Sequence, residues 1–240
     1  MLNGDGLRVV LWVAGCSHCC KECHNPITWD PDGGLLFDDD AKQEIFEQLD
    51  HSYISGITFS GGDPLHSANR LDVRNLMSEI KEKYPEIIVV ICCVGELSKD
   101  DYKKAVETVN SLYPDVILAE NNCTNGGSLY KSLYKYDNYG RTGAKIAVSE
   151  YGINTTVGDT LTKNNIWSAI ENAAFLMSLE RNSDLVQMSA YQTLLSKINA
   201  QTSDTSAVWF SSNDVIYTPD YYMQMMFANN MGTNYISSDF

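Results

Sequence analysis

The sequence is poor in basic residues and has no long apolar segment. Its 240 residues include 17 lysines and arginines against 31 aspartates and glutamates, a formal net charge of −14. This excess of negative charge argues against non-specific binding to nucleic acid or to an anionic membrane, since both would repel it. No segment approaches the roughly 18 apolar residues that span a bilayer, and no signal peptide is visible. We therefore expect a cytoplasmic protein that binds neither nucleic acid nor membrane.

Histidine and cysteine are nearly absent from the second part of the chain. All four histidines and six of the seven cysteines precede residue 95, and only Cys123 follows it. An odd number of locally spaced cysteines makes a secreted disulfide framework improbable and fits a reducing compartment. Tyrosine and asparagine cluster instead in the second part, so the two parts look as if different functions had shaped them.

Four of the cysteines lie within eight residues, from Cys16 to Cys23. Three of them, Cys16, Cys20 and Cys23, have the spacing C-x3-C-x2-C, and Cys19 is an additional thiol. Thiolates this close in sequence converge on one small object, and an iron–sulfur cluster with only three protein ligands is the best candidate. One iron would then be open to bind and reduce a substrate. Zinc binding and buried structural cysteines are the less favoured alternatives, because zinc ligand pairs are usually separated by a dozen or more residues.

Apolar and amphipathic segments alternate along the whole chain, which predicts an α/β fold with mostly parallel strands. Continuous apolar runs suit parallel strands that are covered on both faces. The predicted strands are Leu7–Ala14, Gly56–Ser60, Ile87–Val94, Asp115–Ala119, Lys145–Val148, Leu185–Tyr191 and Ala207–Phe210. The predicted helices are a segment that follows Asp38-Asp39-Asp40 and runs to Leu49, then Leu71–Tyr84, Asp100–Tyr113, Asn165–Arg181 and Pro219–Asn229.

The first part of the chain resembles a known family in two separated motifs. The text NGDGLRVVLWVAGCSHCCKECHNPITWD and the later ITFSGGDPL are similar to the activating protein of the anaerobic ribonucleoside-triphosphate reductase, a radical S-adenosylmethionine enzyme. The resemblance implies that Cys16, Cys20 and Cys23 hold a 4Fe–4S cluster, whose open iron binds S-adenosylmethionine. It also implies that Gly61, Gly62, Asp63 and Pro64 help to fix the methionine moiety of that cofactor.

The same resemblance implies a reaction and a partner. One electron would cleave the sulfonium, and the 5′-deoxyadenosyl radical would take a hydrogen atom from a glycine of the anaerobic ribonucleotide reductase. The likeness fades after about Val94, where the later strands and the partner-facing C-terminal segment of the family are absent.

The second part of the chain resembles a different family. Three blocks, KYDNYGRTGAKIAVSEYG, NAAFLMSLERNSDLVQMSAYQTLL and TPDYYMQMMFANNMGTN, are similar to the C-terminal part of α-L-arabinofuranosidases, retaining glycoside hydrolases of family 51 with a (βα)8 barrel. The resemblance implies that Glu150, predicted to follow the strand KIAV directly, is at the position of the nucleophile, and that the substrate is an arabinosyl saccharide. Retaining hydrolysis needs two carboxyl groups. The Asn-Glu pair that carries the acid/base in this family is missing, so we expect no measurable arabinofuranosidase activity.

Three interpretations follow from these two resemblances. The chain is a radical activase whose later strands were replaced, a glycosidase-derived module whose first half was replaced, or a chimera in which neither function is complete. The predicted domains are residues 1–94, a partial radical S-adenosylmethionine barrel with its 4Fe–4S motif, and residues 95–240, the C-terminal part of an arabinofuranosidase-like (βα)8 barrel. The resemblance changes abruptly and no linker separates the two parts, which favours the chimera as the origin of the chain. The intact cysteine motif makes radical chemistry the leading hypothesis for its biochemical function.

Overall fold

The computed structural model describes residues 3–20, 23, 25–92, 107, 109, 115–124, 129–153, 164–198, 205–234 and 236. The described chain alternates strands and helices, which confirms the predicted α/β class with mostly parallel strands. The strands are β1 Leu7–Val13, β2 Ile54–Gly61, β3 Ile88–Cys92, β4 Ile117–Thr124, β5 Lys145–Ile153, β6 Val186–Tyr191, β7 Leu195–Lys197, β8 Val208–Phe210 and β9 Val215–Tyr217. The helices are α1 Asp39–Leu49, α2 Arg70–Lys83, α3 Ile166–Arg181 and α4 Pro219–Asn229.

Six strands form one sheet in the order β1-β2-β3-β4-β5-β6, and the pairs β1–β2, β2–β3 and β3–β4 are parallel. The strands β7, β8 and β9 form a separate three-stranded sheet. Of the predicted helix Asp100–Tyr113, only Glu107 and Val109 are described, and both are helical. The predicted domain boundary after Val94 lies outside the described residues and stays a prediction.

The chain divides into two compact units. The first unit contains residues 1–121 and 142–149, and the second contains residues 122–141 and 150–240. No helix in the described ranges is both long and apolar enough to cross a membrane.

The first unit has an apolar core between its sheet and its helices. The buried faces of β2 and β3 contribute Ile57, Phe59, Val89 and Ile91, and α2 contributes residues spaced three or four apart. This spacing puts them on one helical face, so that α2 covers the sheet. The helix residues are Val73, Leu76, Met77 and Ile80.

The starts of α1 and α3 are encoded locally. The Asp38 carboxylate accepts a hydrogen bond from Ala41 N at the N-terminus of α1, which confirms the predicted start. The Asn165 side chain accepts hydrogen bonds from Trp167 N and Ser168 N at the N-terminus of α3. Such N-caps satisfy backbone donors that have no partner inside the helix.

A buried carboxylate organises the second unit. The Asp220 side chain in α4 is fully buried and accepts hydrogen bonds from Ser168 Oγ at 3.0 Å, Asn172 Nδ2 at 2.8 Å and Asn164 Nδ2 at 3.2 Å. Burial of a carboxylate is tolerated only when such donors replace its water. This network joins α4 to α3.

Candidate functional site

The two sequence motifs of the first unit begin where neighbouring parallel strands end. In the register of β1 and β2, Val13 is paired with Gly61, the last residue of each strand. Ligand sites of parallel sheets lie beyond the carboxyl ends of the strands, because both chains leave the sheet at the same edge. The cysteine loop, residues 14–29, and the Gly61–Pro64 turn are therefore neighbours, although more than thirty residues separate them in sequence.

Backbone hydrogen bonds join the turn to the start of the cysteine loop. Gly62 N donates to the Val13 carbonyl at 2.7 Å, and Asp63 N donates to the Gly15 carbonyl at 2.8 Å. Both bonds continue the pairing of the strands beyond the sheet, so the turn and the loop form one backbone unit.

Glycine is required at both positions of the turn because other backbone lies against it. A Cβ atom on Gly61, whose φ is +103°, would lie 2.5 Å from the Val13 carbonyl oxygen. A Cβ atom on Gly62 would lie 2.6 Å from the Gly15 carbonyl oxygen and 2.8 Å from that of Thr28. The neighbours that the structure shows are the end of β1 at Gly61 and the cysteine loop at Gly62. The expectation that these glycines also let the backbone approach a ligand stays a prediction.

The cysteine loop is closed on itself by two further bonds. Gly15 N donates to the Thr28 carbonyl at 2.8 Å, and Cys16 N donates to the Trp29 carbonyl at 3.1 Å. The acceptors lie in a short 3-10 helix, Pro26–Trp29, that returns the chain to the end of β1. The loop is thereby fixed at both ends.

The predicted ligands are free thiols with different exposures. Cys16 is buried, Cys20 and Cys23 are half-buried, and Cys19 is exposed with φ +45°. Cys23 Sγ accepts a hydrogen bond from Asn25 N at 3.4 Å. The exposed position of Cys19 agrees with its interpretation as an extra thiol, and the ligand roles of the other three stay predictions.

The surroundings of Cys16 act on its thiol in opposite directions. Burial raises the pKa of the Cys16 thiol, and the Asp63 carboxylate adds to this increase, whereas backbone hydrogen bonds from His18 and Cys19 favour the thiolate. Burial is the larger effect, so the pKa lies above its ordinary value. Backbone N–H groups directed at this sulfur suit a thiolate that binds metal.

The residues of the loop fit an iron–sulfur cluster. The indole N–H of Trp29 is buried and meets no acceptor in the described part of the chain. A buried donor without a partner costs about 1–3 kcal/mol, and the sulfur atoms of a cluster are acceptors. The loop thus combines free thiols with a donor whose hydrogen-bonding capacity is unmet. Within the described residues, no three His, Cys, Asp or Glu side chains are grouped closely enough for a single metal ion; a four-iron cluster is larger and needs wider spacing.

Side chains reinforce the connection between the two motifs. His18 Nε2 lies 3.4 Å from Asp63 Oδ2, and Asp63 Oδ1 accepts a hydrogen bond from Leu65 N at 2.8 Å. Asn69 Nδ2 donates to the carbonyls of Ala14 at 2.7 Å and Asp63 at 3.0 Å. Sequence reasoning missed His18 and Asn69 as parts of the site. His18 lies inside the cysteine motif, which was a usable signal, while nothing in the local sequence singled out Asn69.

A cavity of about 830 Å³ opens beside β1 in the first unit. Its walls come from the end of β1, the segment 34–37, Asn69 and one face of α2. None of the four loop cysteines and no residue of the Gly61–Pro64 turn lines it. The cavity therefore adjoins the predicted site without coinciding with it.

Glu150 lies inside a strand rather than directly after one. The strand β5 was expected to end at Val148, but it continues through Glu150 to Ile153. Glu150 is half-buried and belongs to the second unit, while the cysteine loop belongs to the first. Its assignment as the nucleophile position stays a prediction.

Comparison with known protein families confirms both resemblances. Residues 2–119 match the family described as a 4Fe-4S single cluster domain, and residues 149–240 match the family described as the alpha-L-arabinofuranosidase C-terminal domain. The first match supports an iron–sulfur cluster in this part of the chain. It extends beyond residue 94, where the likeness was expected to fade.

Two relatives of the first part are anaerobic ribonucleoside-triphosphate reductase-activating proteins. That of Enterobacteria phage T4 is 46% identical over 85 residues, which cover 35% of this chain and 54% of that protein. That of Haemophilus influenzae is 40% identical over 88 residues, which cover 36% and 57%. This chain thus spans little more than half the length of these relatives.

The second part has relatives among the arabinofuranosidases. Alpha-L-arabinofuranosidase 1 of Arabidopsis thaliana is 29% identical over 159 residues, covering 66% of this chain and 21% of that protein. An arabinose-bound family 51 α-L-arabinofuranosidase structure superposes with a TM-score of 0.59 at 21% identity, covering 79% of this chain and 30% of that chain. The enzyme from Thermotoga maritima gives 0.51 at 15% identity, covering 82% and 44%. At these identities, the structural likeness concerns the fold alone.

The two family matches together cover residues 2–119 and 149–240. The first match includes both of the motifs that follow the paired ends of β1 and β2. The N-terminal part of the chain matches the anaerobic ribonucleotide reductase-activating proteins, and the C-terminal part matches the C-terminal domain of the family 51 arabinofuranosidases.

Proposed function

We propose that the first unit binds a 4Fe–4S cluster and S-adenosylmethionine and acts as a radical activase on an anaerobic ribonucleotide reductase. The observation that carries this proposal is the register of β1 and β2, which puts the cysteine loop and the Gly61–Pro64 turn at one edge of the sheet. The names of the relatives and the cluster-domain match support the same assignment.

In this proposal Cys16, Cys20 and Cys23 are the cluster ligands, and Cys19 is not. When bound, such a cluster supplies the single electron that cleaves the sulfonium of S-adenosylmethionine. The backbone bonds of Gly15 and Cys16 fix the start of the loop, so the first ligand enters from a rigid backbone. Burial of Cys16 keeps water from this side of the site.

The turn Gly61–Pro64 is proposed to hold the methionine moiety of the cofactor. The N–H groups of Gly62 and Asp63 are already used in bonds to Val13 and Gly15, and Pro64 has none. For a ligand, Gly62, Asp63 and Pro64 therefore offer backbone acceptors only, and the N–H bonds of the methionine amino group are donors. We therefore assign the turn to the amino group of the cofactor rather than to its carboxylate.

Cysteine substitutions test the cluster assignment. After anaerobic reconstitution with iron and sulfide, the unsubstituted chain should be brown and contain close to four irons per chain. Cys16→Ala, Cys20→Ala and Cys23→Ala should each lose the visible absorption. The motif supplies only three thiolate ligands, so that each substitution would leave the cluster with two.

Cys19→Ala is the matched control, since Cys19 lies in the same loop but is exposed. It should retain the colour and the iron. A colourless unsubstituted chain would refute the cluster, and bound zinc would favour the alternative of a zinc site. Cleavage of S-adenosylmethionine by the reduced, reconstituted protein then tests the cofactor, and formation of a glycyl radical on an added reductase tests the partner.

A second candidate function is supported by the C-terminal match. The second unit is proposed to derive from an arabinofuranosidase that acts on arabinosyl saccharides, with Glu150 at the nucleophile position. Because no Asn-Glu pair supplies the acid/base, we expect no turnover of a nitrophenyl arabinofuranoside. Turnover that disappears in Glu150→Gln would contradict this expectation, while absence of both activities would favour the non-functional chimera.

A further inference from the structure

Asn69 occupies the N-cap position of α2 but does not cap the helix. Asparagine at this position usually accepts a hydrogen bond from a backbone N–H of the first turn. Here the Asn69 side chain makes no such bond. Its amide nitrogen donates instead to the carbonyls of Ala14 at 2.7 Å and Asp63 at 3.0 Å, with Gly15 at 3.5 Å.

These acceptors belong to the two halves of the proposed site. Ala14 and Gly15 lead directly into Cys16, and Asp63 is the third residue of the Gly61–Pro64 turn. An amide has two N–H donors, so one half-buried side chain serves both segments. Resting on the proposed function, we infer that Asn69 is a positioning residue, whose amide holds the cysteine loop and the turn at a fixed separation so that cluster and cofactor are bound in register.

The chemistry of aspartate separates this role from that of a helix cap. Aspartate has the shape of asparagine and is an equally good N-cap. An ionised carboxylate only accepts hydrogen bonds, so in Asn69→Asp it would face the carbonyl oxygens of Ala14 and Asp63. If Asn69 merely started the helix, the substitution would be harmless.

The experiment measures amide hydrogen exchange in the 240-residue chain before any cluster is added. The reporters are four amides: those of Gly62 and Asp63, which join the turn to the other segment, and those of Gly15 and Cys16, which close the cysteine loop. In Asn69→Asp we expect them to exchange at least about tenfold faster, since about 1.4 kcal/mol of lost hydrogen bonding is a factor of ten. Amides inside α2 should keep their protection.

The control is Asn75→Asp, the same chemical change at an exposed position of the same helix. It should leave the exchange of the four reporter amides unchanged. After reconstitution, Asn69→Asp should also lose iron faster to a chelator than Asn75→Asp does, and its reduced cluster should give a broadened electron paramagnetic resonance spectrum.

Unchanged exchange at the four reporters in Asn69→Asp would overturn the inference, as would faster exchange confined to α2. If Asn69→Asp fails to fold, Asn69→Ser replaces it, because serine caps a helix but has no amide to donate. An unsubstituted chain that takes up no iron would defeat the proposed function alone, since the exchange measurement does not depend on a cluster.

Discussion

Gly62→Ala should loosen the connection between the cysteine loop and the turn. The new Cβ would lie 2.6 Å from the Gly15 carbonyl oxygen and 2.8 Å from that of Thr28. Both neighbours are backbone atoms of a loop that its own hydrogen bonds hold in place. They cannot move away from the new Cβ as the end of a flexible side chain could. Gly62 is not in the left-handed region, and the close contacts alone decide the effect.

The magnitude follows from two contributions. Overpacking of a buried site costs about 1–3 kcal/mol. The displaced loop also weakens the Asp63 N to Gly15 O hydrogen bond, which contributes about 1 kcal/mol. We therefore expect a loss of about 2–4 kcal/mol of local stability, a large part of the 5–15 kcal/mol that stabilises a typical domain.

A local assay is needed because the chain has two compact units and need not unfold in one step. We would follow amide exchange in β1 and β2 together with iron uptake after reconstitution. Gly140→Ala is the matched control, since a Cβ there meets nothing within 4 Å; it should be neutral or slightly stabilising. Equal exchange and equal iron uptake in the two variants would refute the steric argument.

Two further predictions concern charged side chains whose hydrogen bonds stabilise one unit each. Arg8→Lys should destabilise the first unit by about 1.5–3 kcal/mol. The guanidinium donates to Thr58 Oγ1 at 2.9 Å and to the carbonyls of Ile57 at 2.8 Å and Ile88 at 2.6 Å, a fork-shaped set of bonds that the ammonium of lysine cannot reproduce. Amide exchange in β1 and β2 checks this, and an effect no larger than that of exposed Arg74→Lys would contradict it. Asp137→Asn should cost the second unit about 1–2 kcal/mol. Burial opposes the charge of Asp137, but hydrogen bonds from Asn182 and Arg181 outweigh it and lower the pKa. The stabilisation is therefore complete above the unfolded pKa of about 4 and disappears as the pH falls through the lower folded value. Melting temperatures of both proteins from pH 7 to pH 2 should converge at acid pH, and a constant difference would contradict this account.

Much of the secondary structure was predictable because the signals are local. Continuous apolar runs predicted β1 and β3, the segment Gly56–Ser60 predicted β2, and the helix predicted at Pro219–Asn229 is α4 as observed. β5 extends five residues beyond its prediction, to Ile153, because its apolar pattern is interrupted by Ser149 and Glu150. The short strands β7 and β9 were missed, since three-residue strands depend on their partners rather than on their own sequence.

The sequence by itself determined the α/β alternation, the cysteine spacing and the two family resemblances, because periodicity and motifs are properties of neighbouring residues. Only the tertiary structure decided that other backbone lies against Gly62 and that Asn69 donates hydrogen bonds to the two segments. Their partners, Gly15, Thr28 and Ala14, are more than thirty residues away in sequence. They meet because β1 and β2 are parallel and end together. The physical reason is that close backbone approach and a donated amide depend on the pairing of strands, which local sequence does not contain.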